Sequence, residues 1–186
     1  MLEEVIEEVN SHMESTIDAL RRDLAAIRTG RASTAMLDHI KVDYYGNKSP
    51  LNQVATLSVP ESRLIVIKPW EANIIGEIEK AIRAEKSLGL NPSNDGVMIR
   101  LPIPELTEER RRDITKVARN RGEEARVAVR HARRDGIDML QEAQKEGEVS
   151  EDESRQGQDR VQKLTDEHIV RIDEIVKNKE ADIMEV

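Results

Sequence analysis

The chain has 186 residues, 35% of them charged, and a formal net charge of −8; its aromatics are Trp70, Tyr44 and Tyr45, with no Phe. A core without aromatic bulk is built from aliphatic side chains and alanine, which suits helix packing better than a large β-sandwich. The absence of cysteine excludes disulfide frameworks, thiolate metal sites and cysteine nucleophiles, and the acidic balance argues against a generic nucleic-acid binder unless a basic patch is hidden in the average.

All six prolines lie between Pro50 and Pro104. Proline removes a backbone donor and breaks helix interiors, so only the two proline-free flanks can be long helices. In the first flank, Leu2, Val5, Ile6, Val9, Met13, Ile17, Leu20, Leu24 and Ile27 recur at steps of three and four, which predicts one amphipathic helix stopping at Thr29-Gly30. This segment opens MLEEVIEEVN, acidic and amphipathic rather than basic and then apolar, so it does not read as a secretory signal. No apolar run approaches the roughly 18 residues of a membrane span. A soluble cytoplasmic protein is expected, without membrane contact.

The middle segment changes period. His39–Tyr45 alternates up to a turn at Gly46-Asn47, and Val54–Val59 and Arg63–Lys68 are β-rich runs joined across Pro60-Glu61-Ser62. Glu71–Lys86 has helical spacing, Asn91–Gly96 is turn chemistry, and Val97–Leu101 reads as a last strand. The second flank predicts a helix from Leu106, capped by Thr107, with Ile114, Val117, Ala118, Ala125, Ala128, Ala132, Met139 and Leu140 on its apolar side and an end near Lys145–Gly147. Ser150 with Glu153 forms a capping box for a last helix carrying Val161, Leu164, His168, Ile172, Ile175, Val176 and Ile183.

Each long helix has one apolar face and a charged back, so the three are stable only together. The expected fold is α+β: an elongated three-helix bundle, residues 1–30 and 106–186, with a small β/α/β domain, residues 31–105, inserted between its first and second helices. The alternative is three separate coiled-coil segments with external partners. Two chain crossings join the domains, and Arg28, Thr29, Gly30, Arg31, Pro102, Pro104 and Glu105 there form a candidate hinge.

Catalytic chemistry has little to build on. His12, His39, His131 and His168 are scattered, with no metal-ligand spacing, no Gly-rich phosphate loop and no nucleophile elbow. His168, on the apolar stripe, reads as a satisfied core histidine. No catalytic residue, metal or cofactor is expected. Charge is more informative. Residues 1–30 carry net −4, residues 31–105 balance nine basic against nine acidic groups, and residues 150–186 carry net −5. Between Arg110 and Arg134, ten basic residues meet only three acidic ones, and nine of the ten are arginine. At about 100° per residue, Arg112, Lys116, Arg119, Arg126, Arg130, Arg133 and Arg134 share one outward arc, with Arg110 and Arg111 at the helix start. Arginine's planar fork suits bidentate phosphate contact, so this face is a candidate site for RNA backbone rather than sequence, since stacking aromatics are few. The plainer possibility is a solvated face paired with acidic neighbours. Arg121 falls on the apolar side and is expected to be stem-buried and paired.

Several segments taken in order are similar to signatures of one family: Arg28-Thr29-Gly30-Arg31-Ala32-Ser33, Tyr44-Tyr45-Gly46, Leu88-Gly89-Leu90-Asn91-Pro92, Leu106–Arg111, Ala125–Arg130 with Arg133-Arg134-Asp135, Ser150-Glu151-Asp152 and Val161–Asp166. Together they resemble the ribosome recycling factor family over essentially the whole chain. The resemblance implies an L-shaped two-domain molecule whose bundle lies on the large ribosomal subunit and its rRNA. It also implies that elongation factor G, with GTP hydrolysed by that partner, joins it to split post-termination ribosomes into subunits. A monomer is expected. His131 departs from the family's usual Asn between the arginines, and Gly122 and Gly136, each costing about 1 kcal/mol against Ala in a helix interior, put the local flexibility of this helix in question. The competing functions are a ribosome-associated stalling or storage protein that binds rRNA without splitting subunits, and a coiled-coil scaffold with no RNA affinity.

Overall fold

In the computed structural model, which describes residues 1–86 and 88–185, the proline-free flanks form three long helices and the proline-bearing middle forms two small antiparallel sheets. Helix α1 spans Leu2–Ala25 and buries Val5, Ile6, Val9, Met13, Ile17, Leu20 and Leu24 on one stripe. It stops before Gly30, which therefore does not cap it. The chain divides into two compact units, Met1–Arg28 with Glu108–Val186, and Thr29–Thr107.

Within the second unit, β1 (Lys41–Tyr44) and β2 (Asn47–Pro50) form a hairpin. Its turn residues Tyr45 and Gly46 have φ of 50° and 87°, the left-handed pair that a tight two-residue hairpin requires. Strands β3 (Ala55–Glu61), β4 (Leu64–Pro69), β5 (Ser93–Asn94) and β6 (Ile99–Pro102) form a second sheet in the order β3-β4-β6-β5. The expected connection at Pro60-Glu61-Ser62 is corrected here. Strand β3 runs through Pro60 and Glu61 past a register shift, Glu61 pairs with Leu64, and Ser62-Arg63 make the turn. Likewise Ser93-Asn94, expected as turn, pair with Arg100 and Ile99. The helical spacing over Glu71–Lys86 resolves into a single 3₁₀ turn, Ala72–Ile74, leading into α2, Ile75–Ala84. Ile65, Ile67, Ile99 and Leu101 alternate onto one sheet face and meet Ile78 and Ile82 of α2 with Val42 and Leu51 in an aliphatic core.

The first unit is the helix bundle. Helix α3 runs unbroken over Glu108–Lys145, two residues later than the Leu106 start expected, and α4 over Glu151–Met184. The capping box is present: Glu153 N–H donates to Ser150 Oγ at 3.1 Å, and Ser150 N–H to Glu153 Oε2 at 2.7 Å. Pairs Glu3–Arg160 and Glu14–Arg171 set α1 alongside α4 in the same direction, and Arg119–Glu180 and Arg126–Asp173 set α3 antiparallel to α4.

Packing answers the question of flexibility raised by Gly122 and Gly136, because α3 is unbroken across both. A Cβ at Gly122 would lie 2.5 Å from Val176 Cγ2, one at Gly136 2.5 Å from Val9 Cγ2, and one at Gly157 2.5 Å from Leu2 Cδ1. The glycines let neighbouring helices approach where any side chain would clash, which outweighs their poor helix propensity. The buried row of α3 accordingly reads Ile114, Thr115, Ala118, Gly122, Ala125, Val129, Ala132, Gly136, Leu140 and Ala143. Val117 is exposed and Val129 takes the core position instead. His168, 2% exposed, is a satisfied core histidine: Nδ1 bonds to Leu164 O at 2.7 Å and Nε2 to Glu14 Oε1 at 3.0 Å.

Candidate nucleic-acid interface

A 38-residue helix presents its back to solvent along its whole length, so the basic residues of α3 have a common support. Their environments nevertheless divide them. Arg119, Arg126 and Arg133 recur at seven residues and line the edge facing α4, because two helical turns return a side chain to nearly the same direction. Arg119 Nε donates to Glu180 Oε1. Arg126 donates to Asp173 at 2.7 Å and to Glu123 at 3.1 Å, and Arg133 reaches Gln162 Oε1 at 3.3 Å. The Arg126 side chain is only 22% exposed. Burial works against its charge, yet the bonds it donates to Asp173 and Glu123 outweigh this and hold its pKa above the ordinary arginine value.

The other edge is freer. Lys116 and Arg134 are exposed and, among the described residues, have no hydrogen-bonding or ion-pair partner. Arg130 approaches Glu123 at 3.6 Å, a loose contact, and Arg112 bonds Glu108 one turn back on its own helix. Val127 lies exposed between them. At the helix start Arg110 is exposed, while Arg111 is half-buried with its Nε enclosed and unbonded. Arg121 is paired as expected but not buried. It is exposed and bonds Glu124 on its own helix at 3.0 Å, because Gly122, not residue 121, takes the buried position. The acceptors on α4 were not singled out from the sequence, although Asp173 and Glu180 repeat the seven-residue step of their arginines.

The candidate hinge residues fall at the ends of the second unit, except Arg28, which ends a segment of the first. Thr29 and Gly30 are half-buried, and Arg31, Pro102, Pro104 and Glu105 are exposed. Gly30 has φ +79°, and a Cβ there would stand 3.1 Å from Leu106 Cγ. The two strands of chain are tied to the β3–β4 turn by Ala32 N–H to Ser62 O at 2.7 Å, Ile103 N–H to Arg63 O at 2.8 Å, and the Arg63–Glu105 ion pair at 2.9 Å. No group of three metal-ligating side chains that could hold an ion occurs among the described residues, and no described helix is long and apolar enough to cross a membrane.

A family model described as ribosome recycling factor matches residues 20–184. The ribosome-recycling factor of Syntrophomonas wolfei is 53% identical over 186 residues, all of both chains. A solution structure of the ribosome recycling factor superposes with a TM-score of 0.78 at 43% identity, covering 100% of this chain and 98% of that one. A second solved structure describes the T. thermophilus ribosome recycling factor with the E. coli elongation factor G on the E. coli post-termination complex; it matches at 45% identity over all of both chains, with a TM-score of 0.65.

Proposed function

Since the chain belongs to the ribosome recycling factor family, we propose that it binds the large subunit of the post-termination ribosome through α3 and, together with elongation factor G, separates the subunits. GTP hydrolysis would belong to the elongation factor; this chain contributes binding surface and shape rather than catalysis, and acts in the cytoplasm as a monomer. A relative has been placed with elongation factor G on the post-termination complex, which supports the choice of partners. The observation that carries the interface is the free edge of α3. Lys116, Arg130 and Arg134 point to solvent with little or no internal neutralisation, and uncommitted cations gain most from phosphate oxygens and from the counterions their binding releases.

In this reading the bundle, residues 1–30 with 106–186, is the anchor. Residues 31–105 form the part that moves, about the crossings at Arg28–Arg31 and Pro102–Glu105. Arg110, Arg111 and Arg112 extend the contact at the start of α3. The test is subunit separation, followed by light scattering, with elongation factor G and GTP, alongside sedimentation with isolated large subunits at rising salt. Binding without separation would favour the stalling or storage role, and absence of RNA affinity a scaffold.

A further inference from the structure

The four-stranded sheet of the second unit has one face buried and one open. Register assigns the open face. Thr56 pairs with Lys68, Ser58 with Val66, and Val66 with Arg100, and directly opposed residues of antiparallel strands share a side. The intervening residues Ile65, Ile67, Ile99 and Leu101 are fully buried beneath. Trp70 follows β4 on the same open side, because its indole N–H donates to Thr56 Oγ1 at 2.8 Å.

Trp70 is the only tryptophan of the chain and is 63% exposed. An indole left in water normally offers both an apolar ring and an unsatisfied N–H. Here the N–H is already bonded and the backbone N–H is held by Val54 O at 3.1 Å, so what remains unused is the ring face. Two residues back along the strand, about 6.6 Å, stands Lys68. It is exposed and, among the described residues, without a partner. Arg100 lies across the sheet, its Asp95 partner bonded through one guanidinium nitrogen at 2.7 Å. The acidic residue in register with this face, Glu61 opposite Leu64, stands at the far end of the strand pair from Trp70.

We infer that this open sheet face, centred on Trp70 and Lys68, is a second nucleic-acid contact, one that takes an unpaired RNA segment by stacking a base on Trp70 and seating a neighbouring phosphate on Lys68. A fixed aromatic plane beside an unneutralised cation on a pleated surface is the chemistry that holds single strands. The ring is pinned before binding, so little side-chain freedom is lost on contact. The site differs from the arginine edge of α3 in its chemistry. That edge carries no ring to stack on and reads phosphates, whereas this face requires a splayed base.

Because Trp70 is the sole tryptophan, its emission reports on this face alone in the intact protein, whatever the arginine helix binds. Short oligoadenylate should quench it saturably, and oligouridylate more weakly, as expected from their stacking. Duplex RNA of equal length should not quench, since its bases are not splayed. Lys68→Glu should weaken the quenching by roughly ten-fold or more, and Lys68→Gln should weaken it less while flattening its salt dependence by a slope of order one. Both variants change an exposed side chain and should melt close to the parent. Absence of quenching, equal quenching by duplex, or quenching indifferent to Lys68→Glu in a folded variant would each overturn the inference. Protection of Trp70 by elongation factor G but not by RNA would also overturn it and make the face a protein contact.

Discussion

Replacing Arg134 by alanine separates binding from folding. Arg134 is exposed and, among the described residues, unpaired, so its removal takes away no internal contact, and alanine is at least as good a helix former. Stability should change by no more than about 0.5 kcal/mol. A charge-assisted hydrogen bond to phosphate is worth on the order of 1.5–3 kcal/mol, and ~1.4 kcal/mol is one decade of affinity. Arg134→Ala should therefore weaken binding to isolated large subunits by roughly ten- to one-hundred-fold, with a melting temperature close to that of the parent. The salt dependence should become shallower by a slope of order one, because one phosphate contact is lost. Arg134→Lys should recover only part of the affinity where the contact is bidentate.

Two controls sharpen the comparison. Arg155→Ala removes a cation from α4 that, among the described residues, pairs with Glu151 on its own helix, and it should leave binding nearly intact. Arg126→Ala removes a half-buried stem together with its contacts to the exposed carboxylates of Asp173 and Glu123, so it should lower the melting temperature modestly, mainly through lost packing, before any effect on RNA is considered. Sedimentation over a salt series, with thermal melting of each variant, measures all three. If Arg155→Ala weakened binding as much as Arg134→Ala, overall charge rather than a defined edge of α3 would be recognised. If Arg134→Ala bound normally, this edge would not be the interface.

Gly136→Ala should destabilise the bundle by about 1–3 kcal/mol although alanine is the better helix former, because its Cβ would lie 2.5 Å from Val9 Cγ2; chemical denaturation measures it, and a stabilised variant would refute the close-approach reading. Backbone N–H bonds from Met98 and Val97, helped by Arg100, hold the Asp95 carboxyl at about 2 against an ordinary 3.8. Its contribution to folding is therefore present above about 3.8 and lost as the pH falls toward 2, so Trp70-monitored unfolding should show a step in that window that Asp95→Asn abolishes. Gly30→Ala forces a side chain into φ +79° and to 3.1 Å from Leu106, and it should reduce subunit separation more than subunit binding; an equal loss in both assays would remove the crossing from the mechanism.

What the sequence made legible, and what it hid, follows from the range of the forces concerned. Helical period and proline placement are local, so the three long helices and the β-rich insertion between them were readable to within a few residues, and the Ser150–Glu153 capping box to the residue. The direction of each α3 side chain depends on what the neighbouring helices present. Val127-Ala128-Val129 is apolar throughout, and only contact with the other helices chooses Val129 for the core and leaves Val127 outside. Gly122 and Gly136 look like defects from within α3, because the Val176 and Val9 methyl groups that require them come from α4 and α1. The arginine arc was visible from composition and the 100° step. Its division into a bonded edge and a free one was not, since Asp173, Glu180 and Gln162 arrive from α4. The seven-residue recurrence of Arg119, Arg126 and Arg133 against that of Asp173 and Glu180 was the available signal, because two helices packed side by side bring equal periods into register. A basic stripe on a packed helix is thus read correctly only after the acidic residues at matching intervals on its partners have been set against it; the cations left over, here Lys116 and Arg134, are the ones with a charge to offer.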